Sequence, residues 1–414
     1  MAIPNTVSQR ADYTFKFNRH LGRHGWLRLT PAYSVKLVEE ILQTVPPESR
    51  VLDPFSGTAT TPLCAGYRGF SAVGLELNPF LVWLAQAKTD HYRASDVHDA
   101  SAAGRDLAER LRRGRPTPSC APPIHNIERW WDETELAFLC ALKGAIGQGQ
   151  PDDTKATRLL LVCFCRLVIK LSNAAFNHQS MSFKQKSAGS GQLQLLPDEP
   201  DFVSLFKGEL DEVLAGARDN PPTVPEIVQG NARDMTAVRG RTFDCVITSP
   251  PYPNRISYIR ELRPYMYWLG YLSNGREAGD LDWEAIGGTW GVATSRLSEW
   301  ERSPDGFYPP YFAALLEAIR HASEKNGPLL SDYVARYFED IWLHLQRMRA
   351  LLPTDARVHY IIGNSTFYDV LVPVERLYVD MLRELGFRHI EVRTIRKRNS
   401  KRALYEFDVS ATSG

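Results

Sequence analysis

Apolar and polar residues alternate along much of the chain in the order expected of an α/β protein. The helical stretch SVKLVEEIL at 34–42 precedes the short apolar strand RVLD at 50–53, a Gly/Thr-rich turn and a second buried strand, SAVGLEL, at 71–77. The rhythm returns with EIVQGNARDM at 226–235 and FDCVITSPPY at 243–252. Short apolar strands separated by helices predict a parallel sheet.

The carboxyl-terminal part of the chain continues this pattern. It reads as a helix at 333–352, a strand at 357–365, a helix at 372–386 and two neighbouring strands at 389–397 and 403–410. Two strands joined by so short a connection predict an antiparallel hairpin. The pattern as a whole predicts an α/β fold with a mostly parallel sheet that this hairpin completes.

Two stretches interrupt the rhythm. Residues 91–225 contain helical segments separated by Pro-, Gly- and Ser-rich pieces, which predicts a largely helical insertion; residues 253–328 are rich in Trp, Tyr, Gly and Pro, which predicts a second, irregular insertion. A length of 414 residues suits about two to three domains, or one elaborated domain with an insertion. We therefore divide the chain into parts 1–90, 91–225 and 226–414.

Composition and charge exclude several classes of protein. The chain is 43% hydrophobic and 23% charged, which excludes a disordered, collagenous or coiled-coil protein. A formal net charge of +1 excludes a histone-like coat of positive charge but allows local basic patches. The longest apolar run is too short for a membrane span and the first residues lack the core of a secretory signal, so we expect no membrane association and a cytoplasmic location. Six cysteines without a C-x2-C pair predict reduced, buried thiols and no metal site.

Two polar features follow the first two strands. The turn at 53–61, DPFSGTATT, opens a helix, where small residues and backbone N–H groups can approach a polar ligand closely. Glu76 ends the next strand, where a carboxylate can accept both hydroxyls of a ribose. A generic strand-to-helix turn and a solvated strand-end carboxylate are the alternatives. The dinucleotide pattern G-x-G-x-x-G is absent from this turn.

The segment Thr248-Ser249-Pro250-Pro251-Tyr252 is the most informative motif. Two prolines cannot continue a central strand, so the chain must leave the sheet there in a rigid, extended turn that directs Ser249 and Tyr252 into a cleft. A simple turn or a polyproline ligand is the alternative, but the apolar strand directly before the motif disfavours both.

At these residues the chain resembles S-adenosylmethionine-dependent amino-methyltransferases of DNA. DPFSGTATT resembles their cofactor loop and TSPPY their catalytic motif; GLELNP at 74–79, GNARD at 230–234 and GNS at 363–365 extend the resemblance. It covers most of about 20–90 and 226–412. The resemblance implies a Rossmann-like methyltransferase fold with a mostly parallel seven-stranded sheet, an antiparallel C-terminal hairpin and a largely helical insertion.

The resemblance also implies residue roles. The catalytic residues are Ser249, Pro250, Pro251 and Tyr252. The residues that bind S-adenosylmethionine are Asp53, Pro54, Phe55, Gly57, Thr58, Glu76, Asn78 and Asn231. The chain departs from the family at Asn231, where an aspartate is common, and at Ala59, where a glycine is usual.

The chemistry of the motif agrees with these roles. An aromatic amine is a poor nucleophile because its lone pair is delocalised into the ring. The oxygen of Ser249 and the carbonyl of Pro250 can accept hydrogen bonds from the two amino protons and aim the lone pair at a sulfonium methyl group. Tyr252 offers an aromatic face to a base extruded from a duplex. Direct displacement then needs no covalent enzyme intermediate.

The serine before Pro-Pro-Tyr favours N4 of cytosine as the acceptor, since aspartate or asparagine there goes more often with N6 of adenine. N6 of adenine stays open as an alternative, as do an RNA guanine-N2 methyltransferase and an inactive nucleic-acid-binding module with the cofactor fold. A C5-cytosine enzyme needs a thiolate beside the base, and Cys245 lies within the strand.

The resemblance implies DNA as the partner, which we take to be double-stranded, although the sequence does not show which of single and double strands is preferred. DNA binding should appear as local positive charge. We assign phosphate contacts to a basic run near the chain end and to a polar loop in the helical insertion: Arg393, Arg396, Lys397, Arg398, Lys401, Arg402, Lys184 and Lys186. A solvated hairpin tip is the alternative for the basic run. A cognate restriction endonuclease is a further expected partner, and the sequence does not indicate the oligomeric state.

Overall fold

The computed structural model describes residues 7–27, 32–114, 121–149, 154–175, 182–183, 201–254, 257–288, 292–398 and 403–414. Its α-helices are α1 Phe15–Asn18, α2 Val35–Leu42, α3 Thr60–Tyr67, α4 Pro79–Thr89, α5 Ala94–Arg112, α6 Glu133–Gly149, α7 Lys155–Lys170, α8 Phe202–Arg218, α9 Tyr258–Trp268, α10 Gly275–Glu284, α11 Val292–Leu297, α12 Pro310–His321, α13 Gly327–Arg349 and α14 Val374–Glu384.

One seven-stranded sheet organises the fold. Its strands are β1 Arg50–Asp53, β2 Ser71–Glu76, β3 Glu226–Gln229, β4 Cys245–Thr248, β5 Arg357–Gly363, β6 Arg388–Lys397 and β7 Tyr405–Thr412, in the spatial order β6-β7-β5-β4-β1-β2-β3. Strands β1 to β5 run parallel, and β7 pairs antiparallel with both β5 and β6. The predicted fold class is confirmed. Two short antiparallel pairs, Ala174–Ala175 with Ser182–Phe183 and Ser365–Phe367 with Val370–Val372, lie apart from this sheet.

The central strands are apolar because helices cover both faces of the sheet. All four residues of β4 are buried, as are the last three of β1. Chain order places β2 and β3 on one side of β1 and β4 on the other, so the connection reverses direction between β1 and β4. A ligand cleft is expected at the carboxyl edge of such a reversal.

The predicted helical insertion is present as α5 to α8, between α4 and β3. These helices share one apolar core with α4 and α9, in which Phe80, Phe164 and Trp268 are buried. The division of the chain into 1–90, 91–225 and 226–414 stays a prediction.

The expectation of an irregular region at 253–328 is wrong, because α9 to α12 occupy much of it. These helices are short and are bounded by residues that sequence patterns associate with turns. Asn274 caps α10 through its side chain, and Pro310 opens α12 at a position where its missing N–H is not needed.

Candidate active site

A pocket lies at the carboxyl edge of the sheet, where the connection reverses. The predicted residues that line it are Pro54, Phe55, Gly57, Thr58, Glu76, Asn78, Asn231, Ser249 and Pro251. Ser56, within the predicted cofactor loop, also lines it, and the sequence did not indicate several others, namely Tyr33, Tyr258, Ile259, Leu262, Glu284 and Ile286. The structure thus brings the turns after β1 and β4, the end of β2 and the segment after β3 around one cavity.

The turn after β1 approaches the pocket with its backbone. Gly57 has a positive φ of 51°, and Ala59, which precedes α3, has a φ of 61°. A left-handed conformation costs an L residue about 1–2 kcal/mol, which explains in physical terms why glycine suits position 59. The hydroxyl of Ser56 is buried, has no hydrogen-bond partner among the described residues and lies where a Cβ on Gly74 would be, 2.5 Å away.

Asp53 lies behind the turn and does not line the pocket. Its carboxylate accepts hydrogen bonds from the Thr248 hydroxyl at 2.6 Å, from the Phe55 backbone at 3.1 Å and from the Tyr33 hydroxyl at 3.1 Å. Burial raises the pKa of Asp53 to about 6. The side chain therefore ties the end of β1 to the end of β4 and supports the turn from below.

Glu76 faces the pocket from the end of β2. One carboxylate oxygen accepts the N–H of Gly57 at 2.8 Å and the other accepts the N–H of Asn78 at 2.8 Å. Burial raises the pKa of Glu76 to about 7. Each oxygen keeps a lone pair for a further donor, as a ribose diol requires.

The two predicted asparagines have structural partners. The Asn78 side chain accepts the N–H of Phe80 at 2.9 Å and so caps α4. The Asn231 side chain accepts the N–H of Arg233 at 2.9 Å and closes a turn after β3. Each carbonyl oxygen keeps a second lone pair, and the amide N–H groups are further possible contacts for a ligand, although that of Asn78 already lies 3.5 Å from the sulfur of Met266.

Lys88, on α4, is a buried amine beneath the same turn. Its Nζ donates to the carbonyl of Thr58 at 2.7 Å, and burial lowers its pKa to about 7. A neutral amine can still donate this bond. Nothing in the sequence pattern distinguished Lys88 from a surface lysine at the end of a helix.

We expect the free energy of unfolding to rise between pH 7 and 9 by about 2 kcal/mol more in the wild type than in a Lys88→Met variant. The pKa of Lys88 is about 7 when folded and near its ordinary 10.5 when unfolded, so in this window the unfolded chain binds a proton that the folded chain lacks, and stability rises with pH. Urea unfolding at the two pH values measures the difference. Equal increases in the two proteins would contradict the assignment.

Two residues of the turn after β4, Ser249 and Pro251, line the pocket, whereas the predicted catalytic residue Tyr252 does not. The Ser249 hydroxyl donates to the carbonyl of Ile361 at 3.1 Å and also interacts with the Tyr252 hydroxyl. Its oxygen has two lone pairs and can still accept a hydrogen bond. The Tyr252 ring packs against Gly363, where an added Cβ would lie 2.9 Å from two ring carbons. The Arg398 guanidinium carbon stands 5.4 Å from the centre of the ring. Pro250 is buried and does not line the pocket.

His344 supports the segment after β3 from α13. It is fully buried, with Nδ1 2.8 Å from the carbonyl of Ala232 and Nε2 2.8 Å from the Tyr360 hydroxyl. Burial lowers its pKa to about 4. The ring is therefore neutral, donates to Ala232 through Nδ1 and accepts from Tyr360 through Nε2. It also meets Phe55 edge to face at 4.9 Å.

Several arginines of the basic run already have hydrogen-bond or ion-pair partners within the protein. Arg396 makes two bonds to Glu406, at 2.7 and 2.6 Å, and Arg398 donates to the carbonyl of Asn364 at 2.8 Å. The Arg393 guanidinium lies 3.4 Å from the Asp408 carboxylate. The backbone N–H of Lys397, but not its side chain, donates to the carbonyl of Ser8. Lys184, Lys186, Lys401 and Arg402 lie outside the described residues. Phosphate contacts by this run stay a prediction.

None of the described cysteines lines the pocket. They are all buried, and Cys245 begins β4 at the edge of the sheet opposite the pocket. Burial raises its pKa to about 12. Within the described ranges, no cluster of His, Cys, Asp and Glu side chains could hold a metal ion. None of the helices described there is both long and apolar enough to cross a membrane.

Comparison with known proteins gives distant relatives. No protein-family model matches the chain. The type II methyltransferase M.MvaI of Kocuria varians is 20% identical over 380 residues, which cover 87% of this chain and 80% of that protein. The type II methyltransferase M.BsoBI of Geobacillus stearothermophilus is 20% identical over 443 residues, with 93% and 82% covered.

Two solved structures are also similar. TrmN from Thermus thermophilus has a TM-score of 0.33 at 10% identity and covers 96% of this chain, which spans 53% of that one. The rRNA methyltransferase aviRa from Streptomyces viridochromogenes has a TM-score of 0.29 at 11% identity, with 92% and 86% covered. Scores this low carry no argument about the substrate. The chain is thus similar, at 20% identity over most of its length, to two type II methyltransferases.

Proposed function

We propose that the chain transfers a methyl group from S-adenosylmethionine to N4 of a cytosine extruded from double-stranded DNA. The observation that carries the proposal is the Ser249 hydroxyl, which stands in the wall of the pocket with its hydrogen donated to Ile361 and its lone pairs unused by that bond. Such an oxygen can accept a hydrogen bond from an amine. The names of the two sequence relatives, both type II methyltransferases, support DNA as the substrate.

The residues of the pocket fit S-adenosylmethionine. Glu76 offers a carboxylate to the ribose hydroxyls, held in place by the N–H groups of Gly57 and Asn78. Leu262 and Ile286 supply apolar walls for a planar base. When bound, the cofactor supplies an electrophilic methyl group on a sulfonium.

The turn after β4 then orients the acceptor. Ser249 accepts one amino hydrogen, and we assign the other to the carbonyl of Pro250, the next residue of the turn, which lies outside the pocket lining. These two bonds direct the nitrogen lone pair toward the methyl group. With the cofactor bound, the nitrogen lone pair would take the methyl group, S-adenosylhomocysteine would leave as the thioether, and the nitrogen would release its proton to water. Tyr252 provides an aromatic surface for the extruded base, since a base in a duplex cannot reach such a pocket.

The choice of cytosine rests on the serine at position 249. A serine can also hold the amino group of adenine, so the experiment must distinguish methylation of adenine N6 from methylation of cytosine N4. Binding to a cognate restriction endonuclease remains a prediction.

Incubation with S-adenosylmethionine and plasmid DNA, with tRNA in a parallel tube, followed by nucleoside mass spectrometry tests the proposal. We expect N4-methylcytosine in the DNA and no methylated nucleoside in the RNA. N6-methyladenine would overturn the base assignment and keep the enzyme class. Methylated guanine in tRNA alone would overturn DNA as the substrate, and no product in either tube would favour an inactive cofactor fold.

We expect cofactor affinity to fall as the pH drops through about 7. The pKa of Glu76 is raised to about 7, so the carboxylate that accepts the ribose hydroxyls is protonated below this pH. The Kd for S-adenosylmethionine at pH 6 should be roughly tenfold weaker than at pH 8. Calorimetry on the wild type and on Glu76→Gln isolates this effect, because titration of the ligand is common to both. A wild-type profile parallel to that of Glu76→Gln would contradict it.

A further inference from the structure

Two tyrosine hydroxyls hydrogen-bond to the C=O and the N–H of one peptide group in the Ser249–Tyr252 turn. The carbonyl of Pro251 accepts from the Tyr337 hydroxyl at 2.8 Å. The N–H of Tyr252, at the other end of the same peptide bond, donates to the Tyr258 hydroxyl at 3.0 Å. Tyr258 begins α9 and Tyr337 lies on α13, so two separate helices meet at this single peptide group.

The geometry of a peptide bond makes this pair of contacts a clamp. This peptide bond is trans, so its C=O and N–H point to opposite sides. A rotation of the peptide plane would break both hydrogen bonds together. The rings of Pro250 and Pro251 already fix their φ angles, and the clamp restricts the ψ angle of Pro251. Together they remove most of the rotational freedom of the turn.

The clamp also restricts the two oxygens that we assign to the amine, namely those of the Ser249 hydroxyl and the Pro250 carbonyl. The carbonyl of Pro250 precedes the clamped peptide group by one residue, and the Ser249 hydroxyl is anchored separately on Ile361. With both ends fixed, the two acceptors keep a constant separation and direction. Acceptors that are held in advance lower the barrier to reaction, because they need no reorganisation when the amine approaches.

Helix α13 relates this turn to the cofactor side of the pocket. Tyr337 and His344 are seven residues apart, two helical turns, and so share one face of the helix. His344 holds the carbonyl of Ala232 in the segment after β3, while Tyr333, one turn before Tyr337, donates to the carbonyl of Gly287 at 3.2 Å. One rigid helix thus sets the positions of three segments around the pocket.

We propose that Tyr258 and Tyr337 are positioning residues for methyl transfer, which act by fixing the peptide group between Pro251 and Tyr252. This inference rests on the proposed function and adds the residues that orient its acceptor groups. The clamp does not depend on which exocyclic amine is methylated. Neither hydroxyl takes part in bond making.

The test compares Tyr258→Phe, Tyr337→Phe and the double variant with a matched control. Tyr92→Phe is the control, because the Tyr92 hydroxyl also donates to a backbone carbonyl, that of Ala87 at 2.7 Å, and is buried away from the pocket. The steady-state kcat for methylation with saturating DNA, the Kd for S-adenosylmethionine and thermal unfolding are measured for each protein.

We expect kcat to fall roughly tenfold in each single pocket variant, with the cofactor Kd within about twofold of the wild type. The double variant should lose little more than either single variant, because a peptide group freed on one side can already rotate. Tyr92→Phe should keep the wild-type kcat even if its thermal stability falls as far as that of the Tyr258 and Tyr337 variants.

Other results would overturn the inference. A wild-type kcat in both single variants, or a kcat and cofactor affinity that fall together, would show that the hydroxyls do not position the turn. Losses that multiply in the double variant would show two independent roles instead of one clamp. Should Tyr337→Phe fail to fold, the kcat of the variant at the half-buried Tyr258 decides between these outcomes alone. A wild-type protein that transfers no methyl group would instead refute the proposed function.

Discussion

Substitution of Ser249 by alanine should lower methyl-transfer turnover by about 10² or more and leave cofactor affinity nearly unchanged. The Ser249 hydroxyl is the side-chain acceptor that we assign to the amine, and its own hydrogen is donated to Ile361 at 3.1 Å. Alanine removes this acceptor and keeps the backbone of the turn. Single-turnover rates with saturating DNA, beside calorimetry with S-adenosylmethionine, measure the two effects separately.

Ser49→Ala is the matched control for this substitution. The Ser49 hydroxyl also donates to a backbone carbonyl, that of Pro46 at 2.7 Å, but it precedes β1 at the opposite edge of the sheet. We expect wild-type turnover in this control. An equal loss of cofactor affinity in Ser249→Ala, or turnover close to that of the wild type, would contradict the role of Ser249.

Substitution of Glu76 by alanine should weaken cofactor binding by about 100-fold or more. The ribose hydroxyls would lose their bonds to the Glu76 carboxylate, and each hydrogen bond to a charged group contributes about 1.5–3 kcal/mol. Removal also leaves the N–H groups of Gly57 and Asn78 without their acceptor, both now at 2.8 Å. Calorimetry with S-adenosylmethionine measures the loss.

Glu226→Ala provides the comparison for Glu76→Ala. Glu226 begins β3 at the edge away from the pocket and pairs with Arg241 at 2.7 Å. Its replacement should leave the cofactor Kd unchanged. Wild-type affinity in Glu76→Ala would show that the ribose lies elsewhere, and an equal loss in both variants would indicate general destabilisation.

The sequence predicted the fold and the edge of the sheet that carries the pocket, for a local reason. Each motif directly follows an apolar strand, and parallel strands end at one edge. The turn at 53–61, Glu76 and the Ser249–Tyr252 turn could therefore be brought together without knowledge of tertiary contacts. Their convergence in the structure around one pocket agrees with this reasoning.

The roles of Asp53 and Lys88 could not be predicted in the same way. Asp53 accepts a bond from Thr248, which lies 195 residues further along the chain, so only the packed sheet reveals that its carboxylate points inward. Lys88 is buried against the turn after β1, where its Nζ donates to the carbonyl of Thr58. A residue type alone does not indicate such burial.

The basic run illustrates a second limit. Arg396 counted as positive charge in the sequence, yet its partner Glu406 sits opposite it in the register of β6 and β7. Strand register is set by the whole hairpin, not by the run itself. Tyr258, Tyr337 and His344 were missed for a related reason, since each lies on a helix whose position against the turns is a tertiary property.

A crystal structure of the protein with S-adenosylhomocysteine tests the central claim most directly, namely that the cofactor lies between the turn after β1, Glu76 and Ser249. We expect both ribose hydroxyls on the carboxylate of Glu76 and the sulfur on the side of the pocket formed by Ser249. A nucleoside bound away from Glu76, or a sulfur directed away from Ser249, would contradict the account.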